Sequence, residues 1–147
     1  MKNLLLKIIA VGRIKNPRWL AEAEEFAKRL SAYGKIEVVE LKDDSVEKES
    51  AAILRQLESE RGFIWVLDEH GTEMTSAALA GRLRECDRKI VLVIGGAFGF
   101  TDAVRQRADG LLALSRMTFT HEMARVILLE QLYRAATILA GKKYHHE

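Results

Sequence analysis

The chain has 147 residues, 48% hydrophobic and 30% charged, with a formal net charge of +2 and one cysteine. That length supports one globular domain with a sizeable core, and a near-balanced charge does not announce a nucleic-acid binder. The lone Cys86 excludes an internal disulfide and a multi-cysteine metal knuckle and suits a reducing compartment, the cytosol by default, while the lack of any apolar run near about 20 residues excludes a membrane span.

The first apolar run, Leu4–Val11, superficially resembles a signal peptide. Lys7 interrupts it, however, and Arg13 and Lys15 stand where a small-residue cleavage site belongs, so the run reads as a buried strand closed by Gly12. Asn16-Pro17 then supplies an N-cap and a proline at the first helical position, followed by Trp19, Leu20, Ala23, Phe26, Ala27 and Leu30 at helical spacing. A strand is predicted over 36–41, and Ser45 caps a helix burying Val46, Ile53, Leu54 and Leu57. A third strand follows over 63–68, then a helix capped by Thr75 that buries Leu79 and Leu83. Strands over 90–94 and 111–114 flank a short helix opened by Thr101-Asp102. The alternation predicts an α/β fold: a single domain over 1–147 with a mostly parallel sheet flanked by helices.

The last predicted helix, over 121–140, is apolar around more of its circumference than a surface helix needs, which leaves a central position or a homodimer contact open and favours the dimer. Charge is uneven along the chain. Residues 1–20 hold five Lys/Arg and no Asp/Glu, residues 21–60 hold six against eleven, and residues 101–147 hold seven against five. A polyanion would therefore meet the face formed by the two chain ends, if they converge; ordinary solvated faces explain the same pattern.

Chemistry-bearing residues concentrate in the final third. In an open α/β sheet, ligands collect outside the carboxyl ends of the strands, where Gly95, Gly96 and Gly99 are predicted to lie. Their G-G-x-x-G spacing is neither a P-loop nor a dinucleotide fingerprint, so the turn is a cofactor wrap or a tight structural turn. Leu114-Ser115-Arg116-Met117-Thr118-Phe119 also leaves a strand end; its backbone can read an adenine edge between apolar walls, or it is a plain hydrophobic connection. His121 and Arg125, one turn apart, can hold an anionic substrate group or lie on the surface. Arg134 either pairs with Glu130 or stabilises charge on a substrate carbonyl. Tyr144-His145-His146-Glu147 reads as a frayed end, a weak metal site, or an aromatic and a proton-handling histidine delivered to a pocket. No G-x-S-x-G elbow or paired-acid signature supports hydrolysis.

Taken together, Ile8-Ile9-Ala10-Val11-Gly12-Arg13, Leu67-Asp68-Glu69-His70-Gly71, Ile94-Gly95-Gly96-Ala97-Phe98-Gly99, the run from Leu114 to Arg125, Glu130-Gln131-Leu132-Tyr133-Arg134-Ala135 and Tyr144-His145-His146 closely resemble the small SPOUT-class methyltransferases that modify a pseudouridine of bacterial large-subunit ribosomal RNA. The match runs in order along the whole chain. It implies S-adenosylmethionine as methyl donor, no metal, N3 of a pseudouridine in the 23S rRNA of the assembled 70S ribosome as acceptor, a cytoplasmic homodimer, and a C-terminal trefoil knot. Carried over by position, the cofactor residues are Leu67, Gly95, Gly96, Leu114, Ser115, Arg116, Met117, Thr118 and Phe119. Arg134, His145 and Tyr144 are the catalytic candidates, with His121 and Arg125 for substrate contact. The chain departs from the family pattern at Thr120, where proline is common, and at His146, where Arg or Lys is common. A rival from another class is a silent dimeric module that binds RNA or a nucleotide on ribosomes and has no need of an adenine cradle.

Overall fold

A computed structural model describes residues 3–146, so Met1, Lys2 and the final residue of the tail, Glu147, lie outside the described residues. Five strands form one sheet: β1 (Leu4–Val11), β2 (Gly34–Leu41), β3 (Phe63–Thr72), β4 (Ile90–Ile94) and β5 (Gly110–Leu112). Between and after them run α1 (Pro17–Leu30), a 3-10 turn (Ser31–Tyr33), α2 (Val46–Leu57), α3 (Ser76–Glu85), α4 (Asp102–Arg107) and α5 (His121–Leu139). The strand order is β2-β1-β4-β3-β5, and every pairing is parallel.

Period-two alternation sorts the central strands into two cores. Leu4, Leu6, Ile8 and Ala10 of β1, with Ile90, Leu92 and Ile94 of β4 and Trp65 of β3, face one core with Leu83, Leu128, Leu129 and Leu132 from the helices. Ile9 and Val11, with Val91, Val93, Ile64 and Val66, face the other with Ile53 and Leu57 of α2 and Val104 of α4. Every residue of β4 is buried, as a parallel strand covered on both faces requires. The predicted caps are in place: Asn16, Ser45, Thr75 and Thr120 each accept backbone N–H groups at the starts of α1, α2, α3 and α5. Thr120 thus supplies by hydrogen bonding a helix start that proline supplies by ring geometry.

Helix α5 packs against both α1 and α3, and Ser76 donates to Gln131 across the second contact at 2.6 Å. This intrachain packing accounts for the buried Leu128, Leu129, Leu132, Ala135 and Ala136, so much of the apolar circumference of α5 is used within one chain. Met123 at its N-terminal end stays exposed, as does Leu20 on α1.

Two strand ends differ from expectation, and both shape the site. β3 continues to Thr72 because pairing with β5 resumes there after a register shift: Leu67 and Thr72 both face Leu112. The residues between them bulge outward, and Gly71 permits this because a Cβ there would lie 2.6 Å from the Leu111 carbonyl carbon. β5 is shorter than predicted, ending at Leu112, which frees Leu114 for the following loop.

Candidate active site

Three backbone segments leave the carboxyl end of the sheet side by side: the β3 bulge, the glycine turn after β4 and the loop after β5. They enclose a cleft of about 810 Å³, a size suited to a small ligand or cofactor. Leu67, Gly95, Gly96, Leu114, Ser115, Met117, Thr118 and Phe119 all line it, together with His121 at the start of α5. Arg116 is placed outside this cleft, in a neighbouring polar hollow where its Nε donates to Glu73 at 2.6 Å.

Each wall is fixed by identifiable bonds. In the glycine turn, Gly99 N–H donates to Gly96 C=O, and Gly99 takes φ +77, a conformation that favours glycine. A Cβ on Gly95 would lie 2.8 Å from the Phe100 ring, so the turn sits directly on that aromatic. Arg105 ties the turn to β3, donating to Phe100 C=O at 3.2 Å and to Asp68 at 2.6 Å. Burial pushes the Asp68 carboxyl up, but Arg105 and the His70 N–H more than reverse this and leave it below the usual carboxylate range. Across the cleft, Thr118 donates to Glu69, and Ser115 Oγ accepts from Met117 N–H at 3.0 Å. Glu122 accepts from Lys15 and Asn16 N–H at 2.9 and 3.1 Å, which seats the start of α1, with Trp19, on the rim.

Arg125 does not face the cleft. It is buried and donates to Gly12 C=O at 2.6 Å and to Glu40 at 2.5 Å, so its guanidinium staples α5 to the ends of β1 and β2. The substrate contact expected of it gives way to this structural bridge.

A second cluster lies farther along α5. Arg134 pairs with Glu130 through Nε and Nη2 at 2.8 and 2.7 Å, and Glu130 holds the guanidinium firmly cationic. Its Nη1 lies 3.1 Å from His145 Nδ1, and its guanidinium carbon lies 4.8 Å from the centroid of the Tyr144 ring. Tyr144 in turn meets Tyr133 edge-on at 4.8 Å. Burial, then Glu130, pushes the Tyr144 hydroxyl above its usual value, so it stays protonated at neutral pH. Both sequence alternatives for Arg134 are therefore realised at once: it pairs with Glu130 and organises the tail. The cluster does not reach its own chain's cleft. Ala124 is the farthest cleft residue along α5, and Arg134 follows ten residues later, about 15 Å at 1.5 Å per residue.

Asp68, Arg105, Phe98 and Trp19 belong to the site although their residue types did not announce it. Among the described residues, no three or more His, Cys, Asp or Glu converge as a metal set, and no helix is long and apolar enough to cross a membrane.

Residues 4–145 match the family model described as "Predicted SPOUT methyltransferase". The chain belongs to the SPOUT methyltransferase family. It is 44% identical over 151 residues to the "Ribosomal RNA large subunit methyltransferase H" of Anaeromyxobacter sp. (strain Fw109-5), covering 95% of this chain and 98% of that one. The protein of that name from Geobacter metallireducens is 44% identical over 155 residues, covering 96% and 98%. Among solved structures, the fold is shared with a tRNA (m1G37) methyltransferase from Aquifex aeolicus, with a TM-score of 0.58 and 15% identity over 98% of this chain and 74% of that one. It is shared also with the SpoU methyltransferase AviRb from Streptomyces viridochromogenes in complex with AdoMet, with a TM-score of 0.52 and 15% identity; this chain spans 61% of that one.

Proposed function

We propose that this SPOUT methyltransferase transfers a methyl group from S-adenosylmethionine to N3 of a pseudouridine in 23S rRNA of the assembled cytoplasmic ribosome, and that it acts as a homodimer. The observation that carries the reading is the cleft: the glycine turn and the 114–119 loop, both assigned to the donor by family resemblance, meet around one apolar hollow. The residues fit the donor. Backbone from two turns faces the hollow, Leu67, Leu114 and Phe119 give apolar walls, and Gly95 and Gly96 have no room for side chains. When bound, the donor supplies an activated methyl on a sulfonium.

The chain's own residues do the rest. N3 of the base is a weakly acidic imide, so its reaction is eased by stabilising charge on the flanking carbonyl oxygens. Arg134 offers a fixed cation for this. A neutral histidine has one donor and one acceptor nitrogen, and Arg134 can only donate, so the contact at His145 Nδ1 leaves Nε2 carrying the proton. His145 is thereby a donor toward a carbonyl oxygen, and the imide proton leaves to water. Tyr144, held protonated, offers a ring face for the base.

Since Arg134 lies about 15 Å along α5 from its own cleft, a complete site takes the cleft of one protomer and the tail of its partner. The exposed Leu20 and Met123 at the rim supply apolar surface for that contact. The trefoil knot belongs to the same reading and draws support from β4 lying between β1 and β3 before the chain passes to β5. Mass spectrometry of rRNA from a deletion strain tests the substrate: one pseudouridine lacking its methyl is expected. An unchanged modification profile would overturn the assignment.

A further inference from the structure

Beneath the glycine turn lies an acid that nothing described so far uses. Glu49, in the first turn of α2, is 5% exposed. Its Oε2 accepts from Asp44 N–H at 2.9 Å, but its Oε1, fully buried, has no hydrogen-bond partner. A buried acceptor left unmatched is costly, so a native one calls for a reason. Oε1 points at the cofactor turn. A Cβ built on Gly96 would lie 2.7 Å from it, with Val11 Cγ1 at 3.1 Å on the other side. The next residue, Ser50, already holds the far end of the same turn: its Oγ accepts from Thr101 N–H at 3.0 Å.

We propose that Glu49 is a positioning residue for the methyl-donor site, its Oε1 held in reserve to accept a backbone N–H of the Gly96-Ala97 segment when the turn settles on the donor. Gly96 and Glu49 are then a matched pair. The glycine lets the turn rest on the carboxylate, and the carboxylate sets the height of the backbone facing the cleft. Ser50 fixes one end of the turn in advance, while Glu49 leaves the middle adjustable. The inference rests on the donor reading above.

The test uses the full chain and S-adenosylmethionine binding by calorimetry, with hydrogen exchange as a second readout. Glu49→Gln keeps an oxygen for Asp44 N–H but turns an NH2 toward the turn. Loss of one charge-assisted hydrogen bond predicts donor binding weaker by about ten- to a hundred-fold. The thermal midpoint should stay near wild type, and Glu47→Gln, at an exposed position of the same turn, should bind normally. Donor should protect the Gly96 and Ala97 amides from exchange in wild type and not in Glu49→Gln. Gly96→Ala should weaken binding strongly in the wild-type background and much less beside Glu49→Ala, which vacates the space. Wild-type affinity and protection in Glu49→Gln, or strictly additive effects in the double variant, would overturn the inference while leaving the donor reading intact. Failure of the wild-type chain to bind the donor would instead sink both.

Discussion

Removing the Arg134 guanidinium should cost turnover and leave donor binding alone. In Arg134→Ala, Glu130 loses the partner that meets it at 2.7 and 2.8 Å, His145 loses its 3.1 Å contact, and Tyr144 loses the cation above its ring. Deleting one preorganised donor from a developing oxyanion costs about 10²- to 10³-fold in rate, near 3–4 kcal/mol. Release of the tail adds to that, because the ring–cation contact is worth about 0.5–2 kcal/mol and Tyr144 must then be held by Tyr133 alone. The stability loss is far smaller. Glu130 retains some solvent access, so a deficit of about 1 kcal/mol and a drop of roughly 2–4 °C in thermal midpoint are expected. The assay is single-turnover methyl transfer from labelled donor to ribosomes lacking the mark, at saturating substrate, with donor affinity measured in parallel. Arg134→Lys keeps the charge without the fork and should fall between the two. Near-normal single-turnover methylation by Arg134→Ala would refute the assignment.

Arg125→Ala should behave in the opposite way, losing about 2–3 kcal/mol of stability through its bonds to Gly12 and Glu40; a thermal midpoint within 1–2 °C of wild type, about half a kcal/mol or less, would contradict the bridge. Asp68 has a depressed pKa in the fold, so its contribution is fully present above the unfolded carboxylate value and is lost as pH falls through the lower folded value. Acid titration of stability should therefore show a shallower loss below about pH 4 in Asp68→Asn than in wild type, and identical acid limbs would count against the Arg105 pairing. Ribosome affinity should weaken steeply and log-linearly with salt, as phosphate contacts by the basic chain ends require; a salt-independent Kd would exclude that mode.

The order of elements and all four side-chain caps were legible in the sequence because they depend on local chemistry: an oxygen at the cap, apolar residues at period two or period 3.6. Ends fixed by long-range pairing were not. The extension of β3 to Thr72 exists only because Leu112 offers a second partner. Arg125 misled for a related reason: helical spacing places it one turn from His121, but only the packed sheet shows Gly12 and Glu40 waiting for it. Glu49 carried a readable signal that was masked by its charge. Val46, Glu49, Ser50, Ile53 and Leu57 share one helical stripe, and an acid and a serine inside a core stripe mark polar groups the interior needs.

The separation between cleft and tail decides what a complementation experiment must show. Pair Arg134→Ala with a variant whose cleft no longer binds donor, such as Gly95→Val, which drives a side chain into Phe100. If each site drew cleft and tail from the same chain, every site in the mixture would lack one component and activity would stay absent. In a two-fold dimer with sites shared across the interface, each mixed dimer has one intact site, made from the Arg134→Ala cleft and the other chain's tail. Statistical exchange makes half the dimers mixed, so about a quarter of wild-type sites return. Recovery on subunit exchange would thus assign Arg134, Tyr144 and His145 to the partner's cleft, whereas silence from a mixture shown to contain mixed dimers would require the tail to swing back along its own α5.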